Sequence, residues 1–104
     1  IVFDSTALPL LPGTARLAEA GFTTGGARRN REFLGGRLSL GRDAEPATVE
    51  ALLDPQTSGG LLMALRPDDA HQLVEVLHDR GLRPAIVGEV QAAGPRTRSR
   101  VTLK

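Results

Sequence analysis

The sequence contains no cysteine, tryptophan or tyrosine, and its aromatic residues are three phenylalanines among 104 residues. Without cysteine the chain can form no disulfide bond, no thiolate metal site and no cysteine nucleophile. An aromatic content of 3% is too low to form a stacking surface for nucleobases, and a net charge of +1 gives the chain no overall positive potential. We therefore expect no nucleic-acid partner, and the lack of cysteine fits a cytoplasmic setting.

Long apolar runs are also missing. No stretch approaches the roughly 20 apolar residues that a membrane span needs, and the first residues show no signal-peptide pattern, so no membrane partner is expected. A hydrophobic content of 40% over 104 residues fits one globular domain with one core. The chain lacks an initiator methionine and opens on Ile1-Val2-Phe3, which resembles the middle of a strand. We expect it to be part of a longer protein.

Apolar spacing and helix-end signals predict three helices, which begin near Thr14, Pro46 and Pro67. Short strands are predicted at residues 1–3, 38–40, 61–65, 85–90 and 101–103. The run at 61–65 is apolar on both faces and predicts a buried central strand, as does 85–90. A turn at residues 92–95 would join the last two strands as a hairpin. This order predicts an α/β or α+β layer with helices packed on a mixed sheet.

The polar residues of the helices give no metal site. His71 and His78 are two helical turns apart, about 10 Å along the axis, which is too far to share one ion. The acids Asp43, Glu45 and Glu50 surround a helix start, where capping and the helix dipole explain them. None of these groups has the spacing of an oxygen-ligand loop, so no metal-binding residue is predicted.

The first unusual segment is TTGGARRN, which contains Gly25, Gly26, Arg29 and Asn30. It predicts a flexible loop that leads into a helical turn at residues 32–34. Glycines allow backbone N–H groups to approach phosphate oxygens, and arginine matches those oxygens with two parallel hydrogen bonds. On spacing alone, a solvated basic turn is the favoured interpretation over an anion site, because short glycine motifs are permissive.

The second unusual segment is DPQTSGG, residues 54–60, which follows a helix and precedes an apolar run. Asp54 and Pro55 are sufficient for a turn. The next five residues are not needed for a turn and add a side-chain amide, two hydroxyl groups and two glycines: Gln56, Thr57, Ser58, Gly59 and Gly60. A loop that presents a ligand and a tight turn that only enters a strand both remain open interpretations.

Four segments, in chain order, resemble the C-terminal domain of selenophosphate synthetase (selenide, water dikinase), in the aminoimidazole-ribonucleotide-synthetase-like (PurM-like) superfamily. They are ALPLLPGTARLAEAGF, TTGGARRN, LLDPQTSGGLLMAL and AIVGEV. The string DPQTSGG is the most specific of them. Thr24 departs from the family's usual proline and Ala27 from a common threonine, whereas Arg29 and Asn30 match.

The resemblance implies an ATP- and Mg²⁺-dependent enzyme that makes selenophosphate from selenide and releases AMP and phosphate. It also implies a homodimer in the intact enzyme and an N-terminal domain that holds the catalytic Cys or selenocysteine, the essential Lys and the metal-binding aspartates. Residues 1–104 would then form one C-terminal domain without catalytic residues, inactive alone. The implied fold is a three-layer α/β/α domain around a roughly four-stranded mixed sheet with partial ferredoxin-like topology.

In this interpretation the two segments line a cleft that faces the N-terminal domain and contribute anion contacts. The alternatives are a docking module for that domain, which binds no ligand, and another superfamily member such as thiamine-monophosphate kinase or the hydrogenase-maturation dehydratase. The string Gln56-Thr57-Ser58 disfavours another superfamily member. The predicted cofactor-binding residues are Gly25, Gly26, Arg29, Asn30, Thr57, Ser58, Gly59 and Gly60.

Overall fold

The computed structural model describes residues 1–94 and 101–104. Within these ranges the α-helices are α1 (Thr14–Glu19), α2 (Gly25–Leu34), α3 (Pro46–Leu53) and α4 (Pro67–Asp79). The strands are β1 (Val2–Phe3), β2 (Leu38–Leu40), β3 (Gly88–Glu89) and β4 (Val101–Leu103), and short 3₁₀ turns lie at Ser5–Ala7 and Gly35–Arg37.

The strands form one mixed sheet in the order β2-β4-β1-β3. Strand β4 is parallel to both β2 and β1, with Thr102 opposite Ser39 and Val2, whereas β3 is antiparallel to β1. The predicted α/β (α+β) class with a four-stranded mixed sheet is therefore confirmed. The predicted hairpin is wrong, because β1 lies between β3 and β4. The turn predicted at 92–95 extends outside the described residues.

The end of β1 is held by hydrogen bonds to distant parts of the chain. The Asp4 amide donates to the Val87 carbonyl at 2.9 Å, and the Ser5 amide and hydroxyl donate to the Lys104 carbonyl at 2.8 and 2.9 Å. The Asp4 carboxylate accepts from the hydroxyl and the amide of Thr6. These two donors lower the pKa of Asp4, because they stabilise its charged form.

The three helix starts predicted from the sequence are confirmed. Helix α1 follows Gly13, whose φ of 89° is accessible to glycine without strain. Pro46 and Pro67 lie in the first turns of α3 and α4. An N–H group at this position would have no acceptor within the helix, so proline loses no hydrogen bond there. Helix α3 ends before Asp54, which is extended at φ −70° and ψ 128°, as expected for the residue before a proline.

The hydrophobic core lies where α2 packs against α3. Its buried members are Ala27, Val49 and Leu53, and the half-buried residues Leu34, Leu38 and Ala44 pack around them. Helix α3 also packs against α1, so it is the central helix of the group.

The predicted central strand at residues 61–65 is wrong. These residues lie outside the strands, and Leu61 and Leu62 are 88% and 67% exposed. An apolar run shows which side chains would be stabilised by burial, but burial also requires another surface to cover them. Helix α4, the next element, has no buried residue. The second predicted central strand is reduced to Gly88–Glu89 and lies at the sheet edge.

The small core makes a sharp prediction. Val49→Ala should lower the free energy of unfolding by about 2 kcal/mol, because it removes two buried methyl groups and leaves a cavity. Urea denaturation followed by circular dichroism measures this change. Val90→Ala, the same chemical change at a residue that is 68% exposed, is the control and should alter stability by less than about 0.5 kcal/mol. Equal losses at the two positions would contradict this placement of the core.

Candidate functional site

The segment predicted as a glycine-containing loop is instead the first turn of α2. The helix begins at Gly25, and Thr24 is its N-cap, with the Thr24 side chain accepting a hydrogen bond from the Ala27 amide at 3.1 Å. The loop prediction at residues 25–30 is therefore wrong. Two glycines weaken a helix start, but the cap and the burial of Ala27 against α3 compensate.

The two unusual segments of the sequence meet at this helix start. The Thr24 hydroxyl donates to Oδ1 of Asp54 at 2.5 Å. Gly26 lies directly against Pro55, since a Cβ added at Gly26 would come within 2.4 Å of the proline Cγ. The beginning of the DPQTSGG string thus lies beside the Gly25-Gly26 pair, although 30 positions separate Thr24 from Asp54.

Asn30 and Arg31 hold the same two helices together farther along α2. The Asn30 side-chain amide donates to the Leu53 carbonyl at 2.8 Å, which provides a partner for a carbonyl in the last turn of α3. Arg31 forms an ion pair with Glu50. Asn30 is one of the predicted ligand contacts, and one of its two side-chain N–H groups donates within the protein.

Arg29 lies on the exposed side of α2 near its start. Its Nη1 is 3.4 Å from the position of a Cβ added at Gly25, so the guanidinium folds back over the first helical turn. The positive end of the helix dipole and the arginine charge are therefore close together. An anion that approaches Gly25 would be attracted by both, while the carboxylate of Asp54, which is hydrogen-bonded to Thr24, opposes that attraction.

Residues 56–60 extend from Pro55 into solvent. All five are exposed, and within the described residues no hydrogen bond involves the side chain of Thr57 or Ser58. A Cβ added at Gly60 would meet nothing within 4 Å, and one at Gly59 would make only ordinary contacts at 3.9 Å with Gln56. Local packing therefore does not require glycine at either position.

The described part of the chain contains no candidate metal centre. Residues 1–94 and 101–104 contain no group of three His, Cys, Asp or Glu side chains placed to hold an ion. His71 is exposed and bonds the Pro67 carbonyl of its own helix at 2.8 Å through Nδ1. No helix among these residues is long and apolar enough to cross a membrane.

Two residues of the site were missed at the sequence level. In the sequence, Thr24 stands out only as a departure from proline and Asp54 only as the first residue of a turn. Threonine is a preferred N-cap residue, and this signal could have predicted that α2 begins at Gly25. No sequence signal predicts the hydrogen bond between Thr24 and Asp54, because it depends on how α2 and α3 pack.

Comparison with known proteins gives one consistent result, although no protein-family model matches. The chain is 40% identical over 94 residues to the selenide, water dikinase of Pseudomonas straminea. It is 42% identical over 84 residues to that of Pelobacter propionicus and 44% over 87 residues to that of Porphyromonas gingivalis. The matches cover 89%, 80% and 82% of this chain, but 26%, 24% and 24% of these relatives. The chain thus spans about a quarter of the length of the curated relatives that it matches.

The chain is an α+β domain that corresponds to one part of much longer proteins named as dikinases. The chain belongs to the selenide, water dikinase (selenophosphate synthetase) family. The resemblance inferred from the four sequence segments is therefore confirmed.

The contact between Gly26 and Pro55 gives a second prediction. Gly26→Ala should destabilise the fold by roughly 1–3 kcal/mol, because its Cβ would overlap a rigid proline ring and push residues 54–60 away from α2. Gly25→Ala is the matched control in the same helical turn. Its Cβ meets only the flexible end of Arg29, and the better helix propensity of alanine should keep it neutral or stabilising by up to about 1 kcal/mol. Thermal unfolding of both variants measures the difference, and a harmless Gly26→Ala would contradict the contact.

Proposed function

We propose that this chain is the C-terminal domain of a selenophosphate synthetase, a cytoplasmic ATP-dependent enzyme that makes selenophosphate from selenide and releases AMP and phosphate. The observation that carries the proposal is sequence identity of 34% to 44% with eight selenide, water dikinases. In addition, the first two residues of the DPQTSGG string, Asp54 and Pro55, contact Thr24 and Gly26, although the two segments are distant in sequence.

Within this enzyme, the start of α2 would bind phosphate oxygens of ATP or of a product. Gly25 leaves room for close approach to the helix N-terminus, and Arg29 adds a positive charge that is exposed to solvent. We include in this proposed site the exposed hydroxyls of Thr57 and Ser58, which follow Pro55 closely in the chain, and the exposed Gly59 and Gly60, where an added Cβ would meet no close contact. Asn30 also holds the end of α3 through the Leu53 carbonyl, and its second side-chain N–H and its amide oxygen are left for the same site.

The residues present fit phosphate better than they fit Mg²⁺. Magnesium binds carboxylate oxygens and phosphates in octahedral geometry. Asp54 is the carboxylate beside the two segments, and its Oδ1 accepts from Thr24. We therefore assign the metal ligands, and the catalytic residues, to an N-terminal domain of the intact homodimeric enzyme.

A second role, docking of that N-terminal domain, is favoured by one observation. Directly after Gly60, four large apolar residues lie exposed: Leu61, Leu62, Met63 and Leu65. Exposed apolar surface of this kind commonly marks an interface. A domain that covered residues 61–65 would bring its own surface next to the glycine-containing segments, so anion binding and docking are compatible.

The function is tested by a chimaera. Residues of the Pseudomonas straminea enzyme that match this chain are replaced by the sequence of this chain, and AMP formation is measured with and without selenide. We expect selenide-dependent AMP formation from the chimaera and none from the isolated chain of 104 residues. The control chimaera has residues 54–60 replaced by seven alternating glycines and serines and should lose the activity. A chimaera that unfolds cooperatively but forms no AMP in response to selenide would contradict the proposal.

Titration with inorganic phosphate separates direct anion binding from docking alone. We expect amide resonances of residues 25–30 and 57–60 to shift together in ¹⁵N-correlated NMR spectra, with one apparent Kd. Arg29→Gln removes the charge near Gly25 and should weaken the effect, whereas Arg83→Gln, at an exposed position outside both segments, should not. Spectra that do not change with phosphate would favour the docking role.

A further inference from the structure

The hydroxyl of Thr24 makes two hydrogen bonds with different consequences. It accepts from the Ala27 amide at 3.1 Å, which caps α2, and it donates to Oδ1 of Asp54 at 2.5 Å. One hydroxyl can do both, since it carries one donor and two acceptor lone pairs. The acceptor bond stabilises the helix, and the donor bond reaches the first residue of the DPQTSGG string.

Asp54 and Pro55 determine where this string leaves α3. Asp54 is the extended residue that ends the helix, and the ring of Pro55 restricts the backbone that follows. The Pro55 ring lies against Gly26, so the string contacts α2 at two adjacent points, one polar and one apolar. A hydrogen bond to a carboxylate is stronger than one between neutral groups, which favours the polar contact as the one that sets direction.

We propose that Thr24 is a positioning residue: its donor bond to Asp54 fixes the direction of residues 54–60 relative to the Gly25-Gly26 pair. Packing of α2 on α3 brings the two segments together, and this side-chain hydrogen bond then sets the direction in which the string leaves α3. The link to catalysis rests on the proposed function, whereas the contact itself does not.

The two bonds of Thr24 can be separated by substitution. Thr24→Asp keeps an excellent N-cap acceptor but cannot donate to Asp54, and it places a second negative charge beside it. Thr24→Ser keeps both bonds, and Thr24→Val removes both. The measurements are hydrogen exchange of the Ala27 amide, which reports the cap, and chemical shifts of the amides of residues 56–60, which report the string.

For Thr24→Asp we expect Ala27 exchange close to that of the parent chain and displaced resonances at residues 56–60. Thr24→Val should speed Ala27 exchange by roughly fivefold, the usual size for loss of a threonine cap, and should displace the same resonances. Thr24→Ser should leave both readouts unchanged. Because the parent and its variants are compared without any assay of turnover, failure of the proposed function would leave this test intact.

A double substitution tests whether the displacement acts through Asp54, and the neutral Thr24→Val shows whether loss of the bond is enough without repulsion between two carboxylates. Thr24→Asp introduced into an Asp54→Ala background should leave residues 56–60 where Asp54→Ala alone placed them, because the bond is already absent. The proposal is overturned if Thr24→Asp leaves residues 56–60 unmoved in the parent chain, or moves them equally in the Asp54→Ala background. In the chimaeric enzyme, Thr24→Asp should lower kcat/KM and Thr24→Ser should not.

Discussion

The packing of Ala27 against Val49 and Leu53 is the contact on which the rest of the structure depends. These three residues form the buried cluster of the described chain, and they join the first turn of α2 to the body and end of α3. A small side chain at position 27 lets the two helices approach closely. Because few residues are fully buried, this helix–helix interface supplies much of the buried apolar surface in this region.

This interface also determines where the two candidate segments lie. The buried contact involves the start of one helix and the end of the other, so the residues just outside them, Thr24 and Asp54, must be neighbours. Hydrogen bonds then refine an arrangement that packing has already brought about. Gly26 shows the same constraint in steric form, because only a residue without Cβ fits beside Pro55.

Local signals in the sequence predicted local features well. Proline at the first turn located α3 and α4, and the residue before Pro55 ended α3 as expected. The prediction of a buried strand at residues 61–65 was wrong, because apolar side chains favour burial but do not show that another surface covers them. The helical state of residues 25–30 was missed because a cap and tertiary packing outweighed the low propensity of two glycines. The strings identified the family, but their contact could not be predicted from spacing.

The position of β4 has a consequence for how the chain is synthesised. β4 is the strand that connects β2 to β1, and the Ser5 hydroxyl bonds a carbonyl 99 positions away at Lys104. A ribosome releases Val2 and Phe3 long before residues 101–103, so the sheet cannot close while most of the chain is being made. Closure by such distant partners is slow and leaves strand edges open to wrong pairing in the meantime. Premature termination before residue 101 would therefore leave β2 separated from β1, with both edges available for aggregation.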